Sequence, residues 1–119
     1  MPSVAVIGAS NDRAKYGNRA VRAYLRQGWT VYPVNREENE IEGLPVYRRV
    51  QDLPSRVDRF SLYVPPQVGL TLLAAIAAHG PAELWVNPGA ESDALLAEAE
   101  RLGLAPIQAC SIVDIGERP

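Results

Sequence analysis

Residues 3–17 constrain the fold more than any other stretch. Ser3 to Gly8 reads Ser-Val-Ala-Val-Ile-Gly, an apolar, β-branched run closed by glycine. That is the pattern of a strand buried on both faces. A polar turn, Gly8-Ala9-Ser10-Asn11-Asp12-Arg13-Ala14-Lys15-Tyr16-Gly17, carries the chain into a helix over Gly17 to Gln27. Val21 and Leu25 sit one turn apart on its expected core face, flanked by Ala20 and Tyr24, and Gly28 is placed as its C′ stop. A strand buried on both sides and feeding straight into a helix belongs to a parallel sheet with helices over its faces.

The rest of the chain repeats the alternation. Thr30 to Val34 predicts a second strand and Asn35 to Glu42 a polar, acidic loop. Gly43 to Tyr47 predicts a short edge strand, and Val50 to Pro54 a helical turn. Val57 to Val64 reads as a third long strand, ended by Pro65-Pro66 because proline gives a sheet no donor. Gln67 to His79 predicts a helix with Val68, Leu72, Ala75 and Ile76 inward, stopped by Gly80-Pro81. Glu83 to Val86 is a strand, Asn87-Pro88-Gly89 a turn, and Ser92 the cap of a helix to Leu102 before Gly103. Ala105 to Gln108 is the last strand. Alternation of this kind predicts an α/β fold, a Rossmann-like, doubly wound parallel sheet of about five strands in a three-layer sandwich. The 119 residues fit a single domain.

Charge and composition narrow the function. Twelve basic residues against fourteen acidic ones give a net charge of −2, which argues against a general nucleic-acid binder. No apolar run approaches the roughly 18 residues of a membrane span. The first residues run into a strand with no charged leader, and one cysteine permits no internal disulfide, so the chain reads as cytoplasmic.

Ligands of doubly wound sheets bind beyond the carboxyl ends of the strands. The informative residues are therefore Gly8 to Asn11, Val34-Asn35-Arg36, Val64-Pro65-Pro66, Asn87-Pro88-Gly89 and Ala109-Cys110-Ser111. The first tip suits an anion, because small residues let backbone N–H groups approach it and the helix start adds positive potential. It is not the usual dinucleotide fingerprint, which sets three glycines within six residues. It also lacks the Gly-Lys-Ser/Thr of a phosphate loop. Arg13, Lys15, Arg19, Arg22 and Arg26 against Asp12 alone give Asn11 to Arg26 a local charge of +4. Arg22 and Arg26 read as a solvated helix face. Arg13 and Lys15 are placed to meet an anionic ligand. The second tip lacks the carboxylate that binds the ribose of NAD. Arg36 stands there instead and suits a phosphorylated ribose, as in coenzyme A or NADP.

Several stretches together carry a resemblance. They are Val4-Ala5-Val6-Ile7-Gly8-Ala9-Ser10, Lys15-Tyr16-Gly17, Gly28 to Asn35, Ile41-Glu42-Gly43, Val57-Asp58, Val64-Pro65-Pro66, Leu84 to Ala90, and Cys110. In that order they resemble the small stand-alone CoA-binding proteins. The same Rossmann-like domain begins the succinyl-CoA synthetase alpha subunit and the ADP-forming acyl-CoA synthetases. The resemblance implies CoA binding along the strand tips. Gly8, Ala9, Ser10 and Lys15 would hold the phosphates, with Asn11, Arg13, Tyr16 and Gly17 in the same loop. Val34, Asn35 and Arg36 would frame the adenosine. Val64, Pro65 and Pro66 would line the floor, and Asn87, Pro88 and Gly89 would lie towards the pantetheine arm.

No catalytic constellation is visible. The phosphate-carrying histidine of the synthetases lies in a further domain, so the resemblance implies no ligase activity here. His79, the only histidine, is expected to cap its helix or lie on the surface, where a cation favours the dipole. Cys110 reads as a small buried hydrophobe, or as a thiol close enough to CoA for a mixed disulfide. Trp29 and Trp85 read as core, with Trp85 also a candidate border of the site. Glu37, Glu38, Glu40 and Glu42 read as a solvated loop and not as a metal site. The expectation is a CoA-binding protein without catalysis. The alternatives are an NADP-binding module and a non-catalytic nucleotide-binding subunit of a larger CoA-ligase-type assembly. A homodimer or a partner protein is compatible with each.

Overall fold

The protein is described by a computed structural model covering residues 2–119. Its elements run β1 (Ser3–Ile7), α1 (Tyr16–Arg26), β2 (Thr30–Val34), β3 (Glu40–Ile41), β4 (Leu44–Pro45), a 3₁₀ turn (Val50–Asp52), β5 (Arg59–Leu62), α2 (Pro66–His79), β6 (Glu83–Val86), α3 (Asp93–Arg101), β7 (Pro106–Gln108) and α4 (Ser111–Asp114). Five strands form one parallel sheet in the order β2-β1-β5-β6-β7. The chain leaves β1 towards one edge and later returns to its other side as β5, so the strand order reverses between β1 and β5.

All five residues of β1 are buried. Its side chains alternate between two cores, as strand geometry requires. Val4 and Val6 pack with Ala20, Val21 and Tyr24 of α1 and Ile112 of α4. Ala5 and Ile7 pack with Phe60 and Leu62 of β5, Leu73 and Ile76 of α2, and Leu95 and Ala99 of α3. These two clusters are the two helix–sheet interfaces of a Rossmann-like three-layer sandwich.

Several elements differ from the sequence reading. In α1, Tyr24 takes the inward position and Leu25 is 38% exposed. Tyr24 is held inside by its edge-on contact with the Trp29 ring, 4.8 Å between centroids. In α2 the buried residues are Gly69, Leu73 and Ile76; of the stripe expected inward, Ile76 is buried and Leu72 and Ala75 pack partly buried against the same core, while Val68 borders the strand-end cleft. That helix is apolar nearly all round, so periodicity alone cannot fix its rotation. Gly69 decides it, since a Cβ there would stand 2.8 Å from Leu95 Cδ1. Glu40 and Ile41, expected in a loop, instead pair with Leu44 and Pro45 across a two-residue turn. Glu42 and Gly43 both have positive φ, the requirement of a tight hairpin turn. The third long strand is shorter than expected, because the Val57 N–H turns to His79 Nε2 at 3.1 Å and Val64 leads into α2.

The short helix α4 was not anticipated. Arg59 clamps it from β5. Its guanidinium lies between the Trp29 and Trp85 rings at 4.9 and 4.5 Å and reaches Glu83 at 2.7 Å and Asp114 at 3.0 Å. Trp85 is buried, as expected, Trp29 is partly buried against the core, and the arginine fills the space between them. A second tie is polar and buried. Asn87 donates to Ser61 Oγ and the Leu62 carbonyl, accepts from the Ser111 N–H, and Ser61 and Ser111 share a 2.7 Å bond.

Candidate functional site

Two clefts open beyond the strand ends, at the reversal of strand order. The wider, about 650 Å3, is bordered by Ile7, Gly8, Ser10 and Lys15, the β2 tip Val34 to Glu38, Arg48 to Gln51, Val64, and Val68, Thr71 and Leu72 of α2. The second, about 380 Å3, is bordered by Gly8, Lys15, Tyr16, Gly17, Tyr63 to Pro66 and Pro88 to Ala90. They share Gly8, Lys15 and Val64, so they form one elongated trough with those residues at its waist.

The waist is built by close backbone approach. Gly8 has φ +89°, and a Cβ on it would lie 2.6 Å from the Tyr63 carbonyl oxygen. Its N–H donates to the Val34 carbonyl, and the Tyr63 N–H donates to the Ile7 carbonyl at 2.8 Å. A Cβ on Gly17 would collide with the Gly8 carbonyl oxygen. Both glycines are therefore needed where the sequence placed them. Between them the loop is braced by its own side chains. Ser10 Oγ accepts from the Asp12 N–H, and Asp12 Oδ1 accepts from the Ala14 N–H. The Ser10 hydroxyl keeps its proton to give to an anion.

Helix starts add positive potential. Neither α1 nor α2 has a side-chain cap or an acidic residue in its first turn, whereas α3 has the Ser92 cap and Asp93. The Tyr16 and Gly17 N–H groups of α1 meet no acceptor among the described residues. The N-terminus of α2 opens on two prolines and contributes mainly its dipole. A negatively charged group at the waist thus meets Lys15, free amides and two helix starts.

The wide end is basic. Arg36, Arg48 and Arg49 border it against Glu37 and Glu38. Arg48 donates to the Arg36 carbonyl at 2.8 Å and to Asn39 Oδ1 at 2.6 Å, which fixes its guanidinium. Arg49 pairs with Asp52, whose carboxyl is held below the usual range by that hydrogen bond. Arg36 has no side-chain partner among the described residues, so its fork is available. The narrow end is apolar, with Pro65, Pro66, Pro88 and Ala90 facing Tyr16 and Tyr63.

Most of the residues singled out in the sequence border this trough: Gly8, Ser10, Lys15, Tyr16, Gly17, Val34, Asn35, Arg36, Val64, Pro65, Pro66, Pro88 and Gly89. Five do not. Ala9 is fully buried beneath the loop. Asn11 turns to Glu38 and the Glu40 carbonyl. Arg13 lies in a separate cleft on the outer face of α1. Asn87 is 2% exposed with its amide consumed by the buried network. Cys110 precedes α4 and packs against the α1-side core. Asn35, which does border the trough, spends its amide on the Ala9 carbonyl and the Glu37 and Glu38 N–H groups. It positions the loop. His79, in the last turn of α2, accepts the Val57 N–H at Nε2 and packs edge-on against Phe60, so it braces a strand entry and borders neither cleft. Trp85 borders neither cleft. Sequence reasoning missed Arg48, Arg49, Gln51, Val68, Thr71 and Leu72. The Arg48-Arg49 doublet was a signal, while Val68 and Leu72 were assigned to the core.

The arrangement is a Rossmann-like domain with two adjoining clefts beyond the strand ends. The chain belongs to the CoA binding domain family, which it matches over residues 2–116. That membership lends no support to the NADP alternative. One relative is the acetate–CoA ligase [ADP-forming] II subunit alpha of Pyrococcus furiosus, 43% identical over 63 residues. The match covers 52% of this chain and 14% of that one. Among solved structures, a conserved hypothetical protein from Pyrococcus furiosus superposes with TM-score 0.88 at 39% identity, covering 96% of this chain and 99% of that one. The apo form of a dinucleotide forming acetyl-coenzyme A synthetase 1 from Ca. Korarchaeum cryptofilum gives TM-score 0.76 at 28% identity, over 88% of this chain and 25% of that one. The chain thus spans about a seventh of the ligase subunit and a quarter of the synthetase. No helix among the described residues is long and apolar enough to cross a membrane.

Proposed function

We propose that this chain binds coenzyme A or an acyl-CoA, extended along the trough, and performs no catalysis of its own. The observation that carries the reading is the joining of a basic cleft and an apolar cleft at Gly8, Lys15 and Val64, in a member of a CoA binding family. The phosphorylated ribose goes to Arg36, Arg48 and Arg49. The diphosphate goes to Lys15, Ser10 and the free amides of α1. The pantetheine arm runs past Pro65 and Pro88. One cysteine in 119 residues suits the reducing cytoplasm in which CoA is used.

Thermal unfolding with CoA, acetyl-CoA, NADP and NAD in turn tests this. A ligand at 100 times its dissociation constant adds about 2.7 kcal/mol, several degrees for a domain this size. CoA is expected to shift the midpoint and NAD is not. Lys15→Ala and Arg36→Ala each remove a charge-assisted contact of about 1.5–3 kcal/mol, a roughly 10- to 100-fold loss of affinity. An unchanged midpoint with CoA, in protein shown by mass spectrometry to be ligand-free, would refute the reading.

A second reading rests on the ligase relative being named a subunit. In it, the chain supplies the CoA site to a partner protein that carries the chemistry. Affinity capture from the native host separates the two, since a CoA carrier is recovered without a stoichiometric partner.

A further inference from the structure

The +4 segment at the start of α1 is not absorbed by the trough. Only Lys15 of its basic residues borders it. Arg13, Arg19, Arg22 and Arg26, with Arg118 and Pro119 from the end of the chain, line a separate open cleft of about 310 Å3 on the outer face of α1.

Side-chain carboxylates pair with only two of these five arginines. Glu42 lies 3.4 Å from Arg13, and Glu117 lies 2.8 Å from Arg26. Arg19 stacks over the Tyr16 ring at 5.2 Å and has no acid partner among the described residues, nor has Arg118. Arg22 also lacks one, yet it is held in place. Its Nε donates to Oδ1 of the fully buried Asn18 at 2.8 Å, and its terminal nitrogen donates to the Arg13 carbonyl at 2.8 Å. A buried amide thus orients a guanidinium among like charges, where electrostatics alone would spread them. Guanidinium forks set around one cleft match phosphate oxygens better than isolated carboxylates.

We infer that this cleft is a second anion site that binds an oligophosphate, a chain of two or more linked phosphates, independently of the strand-tip trough.

Inorganic tripolyphosphate is the probe, with sulfate at matched ionic strength as the control. Differential scanning fluorimetry is run on the wild type, on Arg19→Gln/Arg118→Gln, on Arg22→Gln, and on Lys15→Ala/Arg36→Ala. Arg19 and Arg118 make no ion pair, so the first double variant is expected to keep the unliganded midpoint. Tripolyphosphate is expected to raise the wild-type midpoint by several degrees beyond sulfate. That shift should survive in Lys15→Ala/Arg36→Ala and fall by at least half in both other variants. No shift beyond sulfate would overturn the inference. So would a shift lost only in Lys15→Ala/Arg36→Ala, which would put the anion in the trough. A response to polyglutamate without one to tripolyphosphate would reject the oligophosphate in favour of an acidic protein.

Discussion

Gly8 shows how much one residue can decide. Its positive φ and the carbonyl 2.6 Å from its missing Cβ leave no room for alanine. Gly8→Ala is expected to cost about 1–3 kcal/mol from the backbone alone, read as a lower urea midpoint. It should also push the β1 and β5 tips apart and so weaken CoA. Tyr63 contributes differently. Burial pushes its hydroxyl up to about 12, against the lowering effect of its Ser111 and Ser61 hydrogen bonds. An ordinary tyrosine ionises near 10. Between these values the unfolded chain releases a proton that the folded chain keeps, so stability present below pH 10 is lost as pH rises towards 12. Denaturant unfolding at pH 9 and pH 11 should show this drop in the wild type and a smaller one in Tyr63→Phe. Gly8, Lys15 and Arg36 were legible in the sequence because backbone conformation and charge at a strand tip are local properties. Asn87 was read as a ligand group, but its amide is spent on partners 24–26 residues away, which no local pattern reveals, and Asn35 divides its amide between Ala9, 26 residues away, and the adjacent Glu37 and Glu38 N–H groups.

At the level of elements, the informative failure is α2. Its apolar residues surround the axis, so the sequence was consistent with several rotations. Gly69 against Leu95 settled the matter and turned Val68, Thr71 and Leu72 towards the trough. A bulky residue on that face should therefore block ligand without harming the core. Thr71→Trp, at an exposed position, is expected to weaken CoA at least about tenfold while changing stability by no more than about 0.5 kcal/mol. Calorimetric titration beside urea unfolding reads both numbers. An unchanged affinity would place the ligand away from α2. The short α4 escaped notice because four residues carry almost no periodic signal. It forms through tertiary contacts, with Ile112 buried, Asp114 on Arg59 and Ser111 in the polar network. Of the hairpin, only β3 escaped for the same reason, since β4 lies inside the strand expected over Gly43 to Tyr47.

Across the whole molecule, the alternation of strands and helices fixed the layers, and the local charge surplus of residues 11–26 marked the arginine-lined cleft beside α1 in a chain of net charge −2. The sheet separates two ends with different duties. The two clefts proposed to take the ligand lie at the carboxyl ends of the strands. At the opposite end of β5, Arg59 is enclosed between the two tryptophans and tied to α4. Both indole rings of the protein therefore sit where no ligand is expected. Their emission should change little when CoA fills the trough, making intrinsic fluorescence a poor titration signal. The same placement suits it to watch α4 come away, since release of Asp114 frees the guanidinium pressed against both rings. Light from this protein reports its assembly, and occupancy has to be read another way.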